Sequence, residues 1–325
     1  MSSSRRATPR PGRSRTSGPG CALASALLLA ACSEGGTRPD VEGESLRLGR
    51  VHVVLEPADD RLGGEGGAVE ATEASDAQLE VAARFVFVRG LDEEFARARV
   101  GISVLPHEAL RPGECVPSDS LALQAPEPEE SPDPRELVLV DAGDLSVRVG
   151  EAAFDVPLAL VPDLLPYMSG VEYLHEGESV PLLPAATPRI VIAAKGSMTD
   201  DLPPFSTEGA TPPSLGLFAS ESDVAQQREG ALVFRWTAVA AEQPITVRLL
   251  PLVGGEPAGD ELTCVLADRG AARIDLHRLA LPAQAEAVRV TASRLELASF
   301  DVGEFTGTEL VIERRDRLQM PLVSR

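Results

Sequence analysis

Aromatic side chains are scarce in this chain: Phe, Tyr and Trp make up 4% of its 325 residues, and Trp236 is the only tryptophan. A stacking platform for bases or sugars has little raw material, and Leu, Val, Ile and Ala must fill the cores. Positive charge is also short, with 30 Lys and Arg against 50 Asp and Glu and a single lysine, Lys195. Such a surface repels nucleic acid and anionic headgroups, so no nucleic-acid partner is expected. The four histidines, His52, His107, His175 and His277, stand alone, without the close spacings that common zinc motifs use. No Gly-x-Ser-x-Gly turn is present, and no Gly-rich loop leads from a strand into a helix. The chain therefore carries no catalytic motif, and no cofactor is expected.

Long apolar runs are rare too. One stands at Cys21–Ala31, after a polar stretch with five arginines, and it is about half as long as a membrane-spanning helix. Loss of those five arginines leaves 25 basic against 50 acidic residues, a net −25. The run ends in Leu29-Ala30-Ala31-Cys32, which resembles the lipobox of bacterial lipoproteins. That resemblance implies cleavage before Cys32, diacylglycerol on its thiol and acylation of the new amino terminus. Two or three acyl chains make a stable membrane anchor where one does not. The alternative is an ordinary secretory signal ending in a cysteine by chance. Residues 1–31 are thus a signal peptide and 32–45 a lipidated cysteine with a solvated tether, Ser33-Glu-Gly-Gly-Thr-Arg-Pro-Asp-Val-Glu-Gly-Glu-Ser45. By enterobacterial sorting rules, Ser33 after the cysteine favours the outer membrane over other addresses in the cell envelope.

Beyond the tether, apolar residues recur with period two, the pattern of half-buried strands. Val100, Ile102 and Val104 alternate with polar or small residues, as do Leu145, Val147 and Val149 and Ile245, Val247 and Leu249, while Leu232, Phe234 and Trp236 alternate with Val233 and Arg235. Helical spacing is confined to Leu91–Ala98. Asp59–Gln78 and Ala125–Arg135 read as exposed loops, and the stretch from Ser197 to Pro213 reads as a boundary. The expectation is an all-β protein of two β-sandwich domains, 46–210 and 211–325.

Ala231-Leu-Val-Phe-Arg-Trp-Thr237 followed by Ile245-Thr-Val-Arg-Leu249 resembles strands B and C of fibronectin type III and related immunoglobulin-like domains, with Trp236 in place of the core tryptophan. The tyrosine such domains carry on a later strand is absent. Leu139-Val-Asp-Ala-Gly-Asp-Leu145, Asp201-Leu-Pro-Pro-Phe-Ser206 and Leu262-Thr-Cys-Val265 resemble segments shared by a group of myxobacterial β-sandwich lipoproteins. That likeness implies architecture and location, not an activity.

Acidic pairs invite a calcium reading: Asp141 with Asp144, Asp200 with Asp201, Asp59 with Asp60. None has the spacing of a known calcium loop, and Asp141-Ala-Gly-Asp144 is more economically a turn between strands, so no metal is expected. Once Cys32 carries lipid, Cys115 and Cys264 remain in the mature chain. In an oxidising compartment an even pair favours a bridge, with two separately buried thiols as the alternative. The expected function is a non-catalytic structural or interaction module, anchored in a membrane through Cys32, with a protein or glycan partner. The alternative is a surface-anchored hydrolase or carbohydrate-binding protein with a site built from acidic loops.

Overall fold

Alternation of apolar and polar residues becomes strand along most of the chain. The computed structural model describes residues 45–57, 61–62, 75–102, 104–121, 135–165, 168–182, 187–199, 202–239 and 244–323. The first half holds β1 (Ser45–Pro57), β2 (Arg61–Leu62), β3 (Ser75–Arg89), α1 (Glu93–Arg99), α2 (Pro106–Ala109), β4 (Cys115–Pro117) and β5 (Glu136–Leu139). It continues with β6 (Leu145–Val149), β7 (Ala152–Val156), β8 (Leu158–Leu165), β9 (Met168–Leu182), β10 (Arg189–Ala194) and β11 (Phe205–Ala210). The second half holds α3 (Glu221–Ala225), β12 (Ala231–Arg235), β13 (Pro244–Val253), β14 (Glu256–Pro257), β15 (Leu262–Ala267) and β16 (Ala271–Asp275). A long hairpin of β17 (Ala287–Val302) and β18 (Phe305–Pro321) closes the chain. The protein is all-β: among the described residues no α-helix is longer than the seven residues of α1.

One large sheet runs β4-β15-β13-β17-β18-β1-β3-β5-β9-β8, with β14 and β2 attached to its flanks. The first and last strands are neighbours, since Arg50–Leu55 of β1 pairs in parallel with Glu309–Arg314 of β18. Successive strand residues point to opposite faces, so the even-numbered residues of the hairpin share one side. On that side Leu310 and Ile312 join Val51, Val53, Leu79, Val81 and Phe85 against Leu145, Val147, Ile190 and Ile192 of the smaller sheet β11-β10-β6-β7. Further along, Val288, Val290, Leu318 and Met320 join Ile245, Val247 and Leu249 against Leu232, Phe234 and Ile274 of the two-stranded sheet β12-β16. Each such fully buried side chain contributes about 1.5 to 3 kcal/mol relative to exposure.

Between the two apolar clusters lies a polar belt. Arg294 and Arg314 stand opposite each other across the hairpin, both buried, and Asp316 follows on the same face. Arg314 donates to the carbonyl of Pro212, and Arg294 to those of Pro213 and Ser214. Asp316 accepts from the Ser214 hydroxyl and the Leu215 amide. The segment Thr211–Pro213, expected as a linker between two domains, is therefore packed inside the protein. Thr211 is 1% exposed, and residues Glu42–Arg325 form one compact unit in which the hairpin serves both halves.

Three local expectations change. Val100 and Ile102 do not form a strand: they follow α1 and are buried with Ala96 against Leu48, Val86 and Val88 on the other face of the sheet. Their alternation reflects burial beneath a crossing segment. The stretch 197–213 contains β11, whose residues pair with β10 from Arg189↔Ala210 to Ala194↔Phe205. The end of the expected loop at 59–78 is the start of β3.

Candidate functional site

The face of the large sheet opposite the smaller sheets is crossed by a strap, residues 91–121. Asp92 caps α1 by accepting from the Phe95 amide at 2.7 Å, and acidic residues begin the helix while arginines end it, matching its dipole. Gly101, with φ +69°, turns the chain where a larger residue would be strained. Pro106 opens α2, and Glu108 reaches back to the Leu105 amide at 3.0 Å. The far end is tied to β15. Gly113 and Ser118 donate backbone hydrogen bonds to Val265 and Glu261, and Cys115 is bridged to Cys264. The two cysteines are directly opposed in the antiparallel ladder, with Cα atoms 4.0 Å apart. The bridge expected from the even pair is present, and it closes a separation of 149 residues.

Between strap and sheet lies a groove of about 230 Å³. The strap contributes Val104, Leu105, Pro106, Ser118 and Leu121; the floor consists of His52, Thr246, Arg248, Glu261, Thr263, Ser293, Leu295 and Glu313. Five strands and the strap thus meet around one cleft, although its residues are scattered over most of the sequence. At one end Ser118 donates to Glu261 at 2.8 Å and lies 2.5 Å from the Thr263 hydroxyl. A carboxylate only accepts, so the Ser118 proton points to Glu261 and Thr263 donates to Ser118. At the other end His52 Nε2 stands 3.1 Å from Glu313, which also receives Arg315 at 2.9 and 3.0 Å. Burial pushes the Glu313 carboxyl up, but the His52 hydrogen bond and the Arg315 charge outweigh it and hold it well below the usual carboxylate range.

The charged residues of this face are paired in a ladder: Arg50 with Glu309 at 2.6 Å, Arg84 with Glu172 at 2.9 Å, and Arg315 and Arg317 with Glu56. Arg248 is different. It is partly buried in the groove, and no described residue gives it a hydrogen bond or an ion pair. Beside it Thr246 and Ser293, opposed across β13 and β17, are 4% and 5% exposed, and their hydroxyls have no partner among the described residues.

The residues singled out in the sequence lie elsewhere. Cys32 falls outside the described residues, as do Asp59, Asp60, Asp200 and Asp201. Asp141 and Asp144 sit in the turn from β5 to β6 and have separate partners. Asp141 accepts from the Tyr173 hydroxyl at 2.6 Å and the Gly143 amide at 2.7 Å, while Asp144 pairs with Lys195 at 2.7 Å on the surface. Burial, then the bond to Asp141, pushes the Tyr173 phenol above its ordinary range. Gly143 has φ +73°, and a Cβ there would stand 2.3 Å from the Gly196 carbonyl oxygen, so the turn is a packing device. Among the described residues no three His, Cys, Asp or Glu side chains are grouped to hold a metal ion. Of the histidines only His52 lines the groove; His175 packs at a tilt against Phe154 with ring centroids 5.8 Å apart. No family model matches the chain, nor does any curated protein or solved structure.

Proposed function

We propose that the protein is a lipoprotein of the bacterial cell envelope, anchored through acyl chains on Cys32 in the outer membrane, and that it serves as a non-catalytic interaction module whose binding site is the groove beneath the strap. The observation that carries the address is Leu29-Ala30-Ala31-Cys32 at the end of the only long apolar run. The Cys115–Cys264 bridge supports it, because disulfides persist in the oxidising compartments outside the cytosol. The groove supports the binding role: hydroxyls and a guanidinium without described partners converge on it under an apolar roof. Its described lining contains no Phe, Tyr or Trp, which favours this role over the stacking of sugar rings in a carbohydrate-binding protein.

We read the second half as immunoglobulin-like on the distribution of its strands. β12, which leads into Trp236, pairs with β16 in one sheet, whereas β13 lies between β15 and β17 in the other. Phe218 bridges to Arg235 as a first strand would. Trp236 and Phe234, with ring centroids 6.0 Å apart, lie in the apolar cluster between the two sheets.

Mass spectrometry of the mature amino terminus tests the address. Acyl chains on Cys32, and release from the membrane in Cys32→Ser, are expected. An unmodified terminus beginning elsewhere would overturn it.

A further inference from the structure

We propose that the groove binds a small aliphatic monocarboxylate, with the carboxylate on Arg248 and the apolar body under the strap. The inference rests on the reading of the groove as the binding site and adds the chemistry of its ligand.

Arg248 decides the charge of that ligand. A guanidinium partly removed from water gains most from an ionised acceptor, and its planar fork matches a carboxylate in two parallel hydrogen bonds. Four arginines along this face, Arg50, Arg84, Arg315 and Arg317, are already held by glutamates of the protein. Arg248 has no such partner among the described residues, although Glu261 lines the same groove. Strand geometry places Thr246 two residues before Arg248 on the same face, with Ser293 opposite Thr246. Both residues are more than nine-tenths buried, line the groove and have hydroxyls without described partners. Both hydroxyls open to the groove and each has a proton to donate, so the pair is suited to donate to the same bound oxygen atoms.

The remaining features narrow the class. Glu261 and Glu313 border the groove and would repel a doubly charged phosphate more strongly than a singly charged carboxylate. Leu105, Pro106, Leu121 and Leu295 offer an apolar wall, which calls for a hydrocarbon body on the acid. A volume of about 230 Å³ equals the space of roughly eight waters, enough for one amino-acid residue or an acid of similar size. A free acid and the carboxyl-terminal residue of a peptide present the same chemistry.

The test is calorimetric titration of the purified mature chain with N-acetyl-leucine and with N-acetyl-leucinamide, which differ only at the terminus, an ionised carboxylate in one and a neutral amide in the other. The acid is expected to bind saturably and the amide not. Arg248→Gln should weaken binding of the acid by about tenfold or more, while Arg248→Lys keeps part of it. Thermal unfolding of Arg248→Gln should match the parent, because Arg248 has no described partner to lose, and this separates lost binding from lost folding. Equal binding of acid and amide would overturn the carboxylate assignment and leave the groove as a binding site. Failure of both to bind would overturn the assignment together with the groove's role. A peptide ending in leucine that binds as well as the acid supports the proposal with a chain terminus as the source; a peptide that fails where the acid binds supports it with a free acid.

Discussion

Arg294 holds Asp268 through two nitrogens at 2.7 and 3.0 Å, with both side chains almost wholly removed from solvent. Asp268 also accepts from the Trp236 indole at 2.6 Å, and Arg294 spends its remaining donors on the carbonyls of Pro213, Ser214 and Thr237. Every donor of the guanidinium is thus used, and the pair joins the tryptophan cluster to the belt that separates the two cores. A buried ion pair is weak evidence for net stability, because desolvation offsets most of the attraction, but breaking one strands its partner.

Arg294→Ala is therefore expected to cost about 3 to 5 kcal/mol. Much of the loss should come from leaving the Asp268 carboxylate and three backbone carbonyls without this donor. Urea unfolding checks the magnitude, and Arg294→Ala/Asp268→Ala should recover part of the loss. A single variant as stable as the parent would show that the belt does not hold the two cores together.

The Cys115–Cys264 bridge joins the strap to β15 across 149 residues of sequence. On the chain-entropy model a loop of that length is worth ~5 kcal/mol. Cys115→Ser/Cys264→Ser is expected to lower stability by about 2 to 5 kcal/mol. It should also raise amide exchange in Gly113–Ser118, whose backbone bonds to β15 lie beside the bridge. Alkylation of the denatured, unreduced protein should label neither cysteine. Labelling of both would contradict the bridge.

How much of this was legible depends on whether a residue's partner is local. The strands at Leu145–Val149, Ala231–Arg235 and Ile245–Leu249 announce themselves by alternation, and Asp141-Ala-Gly-Asp144 by its turn chemistry. Val100 and Ile102 mislead because a chain lying on a sheet buries alternate residues just as a strand does. Pro212 and Pro213 read as a linker, yet the arginines that donate to their carbonyls lie more than 80 residues later. Arg248 occupies a position indistinguishable, within β13, from any solvent-facing residue. Only the strap, more than 120 residues earlier in the chain, makes it part of a groove. The even cysteine pair was the one long-range signal visible in composition.

Acid should destabilise the protein through Asp223. Its side chain caps α3 by accepting from the Ser220 amide and hydroxyl and receives Arg235 in a two-nitrogen fork at 3.0 Å, while itself being fully buried. The Arg235 hydrogen bonds, working against burial, bring its carboxyl from 3.8 down to about 2. A carboxyl whose folded value lies below its unfolded one binds protons more readily when the chain unfolds. Its contribution is accordingly complete above 3.8 and is lost as the pH falls toward 2. Because Arg235 is 46% exposed and solvent screens the pair, the contribution is about 1 to 2 kcal/mol rather than the full value of the shift. Asp223→Asn should therefore cost about that much near neutral pH, and the gap between variant and parent should narrow steadily toward about pH 2.5. Urea midpoints measured across that range decide it: a gap that stays constant as the pH falls would show that the ionised Asp223–Arg235 pair contributes nothing to the fold.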